Sequence, residues 1–164
     1  VDQRTIEPSL ALVEQIESAA DSLLIELLAP AEWDRAVTGS DRAALPGFGL
    51  VSSQSDGGPA VGFVHVIEVG DIVHLEQLSV LPSCGRRGHG SALVEAAKLE
   101  ASSRGKYCMT LRTFADVLWN APFYATCGFV ESELATEFHR QLVQAESSRA
   151  LHLHRRRIEM ITRF

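Results

Sequence analysis

Residues 78–98 read LSVLPSCGRRGHGSALVEAAK. An apolar extended run breaks at Pro82, passes through Gly85, Arg86, Arg87, Gly88 and Gly90, and becomes an alanine-rich helix. The first N–H groups of a helix have no partner inside it, and the helix dipole favours an anion there. A strand–loop–helix junction of this kind can therefore hold a phosphate. Gly88 and Gly90 let the backbone take positive φ or approach a ligand closely, and Arg86 and Arg87 add positive charge. A glycine-rich turn with solvated arginines would read the same over so short a stretch. Two familiar phosphate cradles fail. A P-loop needs Gly-Lys-Ser/Thr after its spacer, and GRRGHGSA has no lysine. A dinucleotide fingerprint needs a third glycine where this chain has Leu93, and it should follow the first strand.

Working outward, AVGFVHVIEV (60–69) and IVHLEQLSVL (72–81) read as two strands joined at Gly70-Asp71, with GFGLVSS (47–53) before them across the turn signal SDGGP. A short strand is expected around Gln3–Glu7. Pro8 and Ser9 then open a helix with Leu12, Val13, Ile16, Ala19, Ala20, Leu23 and Leu24 at helical spacing. A short helix is expected at Glu32–Val37. The helix after the loop should turn Ala92, Leu93, Ala96, Ala97 and Leu99 inward. YCMTLRTF (107–114) is a further strand, and NAPFYATCG (120–128) is a short helix stopped by Gly128. Leu134, Phe138, Leu142 and Ala145 mark another helix from about Ser132 to Glu146, and RRIEMITRF closes the chain as a strand. The order predicts an α/β domain, a mixed sheet with helices on it.

Composition narrows the function. The 164 residues fit a single domain, 1–164, able to withdraw roughly 70% of the unfolded surface from water. A net charge of -6 argues against a nucleic-acid partner and favours a cationic one. Three cysteines without a CxxC fit a reduced compartment. The opening VDQRTIEPSL has no leader-like pattern, so a cytoplasmic location is the expectation. No apolar run approaches the ~20 residues of a membrane span.

LSVLPSCGRRGHGSALVEAA resembles motif A of the GNAT superfamily of acetyl-CoA-dependent N-acyltransferases, and NAPFYATCGFVESE is similar to a later GNAT motif in which a helix carries FY and ends in GF. Spacing and order match as well, over about residues 3–164. The resemblance implies a single-domain, mostly antiparallel sheet flanked by helices, with a splayed central strand pair. It implies acetyl-CoA as acyl donor and no metal. The pyrophosphate would sit on Arg86, Arg87, Gly88, His89, Gly90 and Ser91, and the pantetheine arm would pair with Leu78, Ser79 and Val80 like an extra strand. Two positions depart from the pattern. Gly85 stands where relatives carry Gln or Arg, and Val117 where many carry Asn. Asn120 could touch the cofactor, but a helix cap is the preferred reading.

Acetyl transfer to an amine that titrates at about 10 needs help with its proton, a polarised carbonyl and an acid for the departing thiolate. Glu76 is the first candidate base, because strand alternation would set His74, Glu76, Leu78 and Val80 on one face. The competing reading pairs Glu76 with an arginine or solvent. His74 is the second candidate base. Tyr124 is the candidate acid, as in many relatives, against the plainer reading of a packed aromatic. The amide of Leu78 would polarise the carbonyl. Cys84 lies beside the loop without an identifiable base. His152 and His154 beside three arginines make a poor metal site, and Trp33 and Trp119 either line a pocket or pack. The expected activity is transfer to a small-molecule primary amine by direct attack in a ternary complex. The alternatives are a non-catalytic CoA-binding module and a protein or peptide N-acetyltransferase. A homodimer is expected if the last strand pairs across subunits.

Overall fold

The computed structural model describes residues 10–28, 44–133, 136–149 and 155–164. Helix α1 (Leu10–Leu28) precedes strands β1 (Gly47–Ser53), β2 (Ala60–Val69) and β3 (Ile72–Val80). A 3₁₀ turn (Pro82–Cys84) leads into α2 (His89–Ser103). There follow β4 (Cys108–Phe114), α3 (Ala121–Thr126), β5 (Val130–Glu131), α4 (Glu137–Ser148) and β6 (Arg157–Arg163). The six strands form one sheet in the order β1-β2-β3-β4-β6-β5. Every neighbouring pair is antiparallel except β3 with β4. This is the mixed, mostly antiparallel sheet expected. The expected strand at 3–7 and helix at 32–37, with Trp33, His152 and His154, lie outside the described residues.

The two faces of the sheet differ. On one, Val64, Val66, Leu75, Met109, Leu111 and Met160 pack under α2 and α3, with Leu93, Val94, Ala97, Tyr124 and Phe129. Removing this apolar surface from water is the main stabilisation, about 25 cal/mol per Å². On the other face, Val13 and Ile16 of α1 cover Phe63, and α4 crosses β4 and β6. α4 is held at both ends. Thr136 caps it by accepting the His139 N–H, and the His139 ring reaches Thr110 on β4. Near the other end, Glu146 accepts from Arg112 of β4 at 2.9 Å and from Arg157 of β6. A helix tied down this way is a wall rather than a lid.

Four expectations need correction. Leu99 is 72% exposed and Ala92 is also exposed, because the inward stripe of α2 runs through Leu93, Val94, Ala97 and Ala101. α4 begins at Glu137 instead of about 132, where Thr136 supplies the cap. β6 is not a free edge. It lies between β4 and the two-residue β5, which pairs with it at Met160 and Ile161. Last, β3 does not keep its alternation. His65 is opposite Gln77 while Val66 is opposite Leu75, so Glu76 is an inserted bulge residue. The phase flips there. Leu75 and Leu78 face α2, whereas His74 faces α4, so His74 and Leu78 are on opposite faces.

Thr110 sits where β3 and β4 touch. It is fully buried, and its Oγ1 lies 2.8 Å from His74 Nδ1 and 3.2 Å from His139 Nε2. Thr110→Val keeps the shape and leaves two buried ring nitrogens without that hydroxyl. We expect a loss of about 2 kcal/mol, read as a fall in Tm of about 4–8 °C; an unchanged melting curve would show the bridge to be idle.

Candidate active site

β3 and β4 are in register only at Val73–Met109 and His74–Thr110. Beyond those pairs the parallel strands part. β3 stays bound to β2 as far as Val80, and β4 stays bound to β6 as far as Phe114. The facing edges, 75–80 on β3 and 111–114 on β4, therefore do not pair with each other. Backbone polar groups seek partners, so this gap suits an extended ligand that offers donors and acceptors. Leu78, Ser79 and Val80 form the far end of its β3 edge.

The loop lies at the open end of the gap. Gly85 N–H donates to Pro82 O at 3.1 Å, closing the 3₁₀ turn. Arg86 stands at φ 59 and Gly88 at φ 86, and Gly88 is the N-cap of α2 with no side-chain cap. The Ala92 N–H is bonded to Gly88 O. The amides of His89, Gly90 and Ser91 precede that bond in the first turn, where a helix leaves its donors open. A Cβ at Gly90 would come within 3.2 Å of the Phe123 ring, so the ring would have to give by a few tenths of an ångström to admit one. The two sequence motifs thus touch. Gly90 meets Phe123, and Lys98 of α2 donates to the Cys127 carbonyl. His89 turns away, with Nδ1 2.7 Å from Ser52 Oγ on β1, while Arg86 and Arg87 are exposed.

Glu76 and Tyr124 lie on opposite faces of the sheet. The Glu76 side chain, 28% exposed, has Oε2 3.1 Å from Nδ1 of buried His65 on β2, which places it on the α1 side. Tyr124 is in the core on the α2 side, with edge contacts to Phe123 and Phe129. Burial pushes its phenol well above the ordinary range, Cys127 adds to the rise, and Arg157 only partly opposes it. Tyr124 Oη therefore keeps its proton and can act as a donor. Asn120 occupies the N-cap of α3, its carbonyl accepting the Tyr124 N–H, but its side chain makes no cap bond; its Oδ1 accepts from Thr113 Oγ1 at 2.6 Å and ties the loop to β4.

His74 is a poor base. Burial lowers it to about 3, with His139 pushing the same way, Glu76 opposing and Arg112 adding a further fall. Cys84 is buried and takes the Gln54 amide at 3.1 Å. Trp119 is 44% exposed beside Leu118 in the loop between β4 and α3. Among the described residues no group of three His, Cys, Asp or Glu is placed to hold a metal. Nor is any described helix long and apolar enough to cross a membrane. Sequence reasoning passed over His65, Thr110 and Thr113. Their signal was present as polar residues inside otherwise apolar strands.

Residues 51–131 match the family model of the acetyltransferase (GNAT) domain. This stretch of the chain is a GNAT acetyltransferase domain. Its fold is similar to that of the ribosomal-protein-S18-alanine N-acetyltransferase from Escherichia coli, at 20% identity and a TM-score of 0.70 over 98% of this chain and 91% of that one. It is also similar to an aminoglycoside 6'-N-acetyltransferase complexed with coenzyme A, at 16% identity and 0.65 over 98% and 95%. Ard1 from Thermoplasma volcanium shares the fold at 17% identity and 0.64 over 98% and 96%. GNAT relatives thus include enzymes with protein and with small-molecule acceptors.

The state of His74 in this GNAT domain has a consequence for stability. The unfolded side chain takes a proton near 6.5, and the native one resists until about 3. The unfolded state therefore binds more protons between those values, and native stability falls as pH drops through that window. Denaturation midpoints measured from pH 7 to pH 4 should decline, and His74→Asn should flatten the decline. Parallel curves would contradict the assignment.

Proposed function

We propose that this GNAT domain, spanning residues 1–164, binds acetyl-CoA along the β3 edge and the loop from Arg86 to Ser91. It then transfers the acetyl group to a primary amine of a small, cationic acceptor by direct attack. The observation that carries the reading is the β3–β4 gap, in a sheet with the Glu76 carboxylate on one face and the buried Tyr124 phenol on the other. When bound, acetyl-CoA supplies an activated thioester. Leu78, Ser79 and Val80 would pair with the pantetheine arm, and the amide of Leu78 would polarise the carbonyl. Asn120, anchored to Thr113, is within the loop that borders the same gap. The net charge of -6 draws a cation toward the site. Three unpaired cysteines suit a reducing compartment such as the cytoplasm.

The proton traffic runs across the sheet. An amine arriving on the α1 side gives a proton to Glu76, through water, as it becomes nucleophilic. On the α2 side the Tyr124 Oη–H is available to the sulfur as it leaves. Two faces divided by a sheet keep base and acid from neutralising each other.

Steady-state kinetics on a panel of aminoglycosides, polyamines, amino acids and an alanine-terminated peptide tests this. Transfer to a small amine supports the reading, transfer to the peptide alone would replace its acceptor, and no transfer to any would leave a binding module. In the active case Tyr124→Phe should lower kcat about 100-fold while acetyl-CoA affinity changes less than about twofold. Equal kcat would remove Tyr124 from the mechanism. Glu76→Gln should depress the rate most at lower pH, and an unchanged pH profile would remove Glu76.

A further inference from the structure

His65 sits in the middle of AVGFVHVIEV, a strand otherwise rich in Val, Ile and Phe, and is 4% exposed. Burying an imidazole costs free energy unless it finds a partner. Its partner here is Glu76 Oε2, 3.1 Å from Nδ1. The contact depends on the bulge. Gln77 is opposite His65 and Leu75 is opposite Val66, so the β2–β3 register skips Glu76, whose side chain stands on the His65 face. An ionised carboxylate can only accept, so the ring gives its Nδ1–H.

We infer that His65 is a positioning residue for acetyl transfer, its Nδ1–H fixing one oxygen of Glu76 so that the carboxylate stays turned to the β3–β4 gap. The inference rests on the reading of Glu76 as base. A glutamate has three side-chain torsions, and this one is partly exposed. Without a fixed contact it would spend much of its time in rotamers that cannot reach the amine. His65 itself touches neither amine nor thioester. Other titratable groups on this face are buried Glu17 on α1, His74 on β3, Arg112 on β4, Arg157 and Glu159 on β6, and His139 and Glu146 on α4.

The test compares His65→Leu, which removes the donor, with His65→Asn, which keeps an N–H near the place of Nδ1. The titration of the Glu76 carboxyl is followed by carbon NMR, its resonance assigned by its loss in Glu76→Gln. A hydrogen bond to the charged form favours it, so His65→Leu should move the Glu76 midpoint up by about one pH unit, and His65→Asn should restore most of it. An unmoved midpoint would overturn the contact. With an acceptor amine, His65→Leu should lower kcat about tenfold, shift the acid limb of the profile upward, and leave acetyl-CoA affinity alone. A moved midpoint with unchanged kcat would overturn the positioning role. Further loss when His65→Leu is added to Glu76→Gln would show a structural role instead. If the parent protein acetylates nothing, the proposed function fails, and with it the catalytic role of His65; the NMR result still decides the contact.

Discussion

The arrangement depends on two residue pairs. β3 and β4 meet at Val73–Met109 and His74–Thr110 and then separate. A sheet normally satisfies its backbone groups strand by strand, so parting two central strands needs support elsewhere. β2 holds β3 along its length and β6 does the same for β4. α2 and α3 cover one face with a single apolar cluster that spans both halves. α1 and α4 cover the other. The gap is thus a built opening, and its unmatched edges define the shape and polarity of what can enter.

The two faces carry different chemistry for that reason. The α2 side is apolar, which suits a buried phenol that keeps its proton. The α4 side is a row of polar and charged groups placed where water is scarce, and such groups survive only in pairs. Glu146 accepts from both Arg112 and Arg157, while the Arg157 Nε is buried without a hydrogen-bond partner among the described residues; burial pushes the Glu146 carboxyl up, but Arg157 and Arg112 outweigh it and hold it low. Thr110 serves His74 and His139 together. The same network that keeps α4 in place therefore also pins the point where the strands diverge. Acceptor selectivity in this protein should come from fixed walls and charge more than from closure of α4.

Much of this was legible in the chain. Alternation and turn residues gave β1, β2 and β3 almost to the residue, and the glycines at 85–90 announced the turn and the helix behind it. Gly88 takes the positive φ expected of the loop glycines, while Gly90 lies close to Phe123. What could not be read was the bulge. One inserted residue costs nothing in local propensity, yet it reverses the facing of everything after it. That is why Glu76 and Leu78 were expected together and are not. Asn120 went astray for a similar reason, since its partner Thr113 belongs to β4 and not to its own helix. His74 looked like a base in sequence because only folding reveals its burial.

The central claim is that the gap and the loop together hold coenzyme A. Calorimetric titration with acetyl-CoA, with ATP and NADH as controls, tests it most directly. The account predicts saturable heat with acetyl-CoA alone, and a large loss of that affinity in Gly90→Val, whose side chain would press on Phe123. Heat from ATP or NADH equal to that from acetyl-CoA, or none from acetyl-CoA, would contradict it.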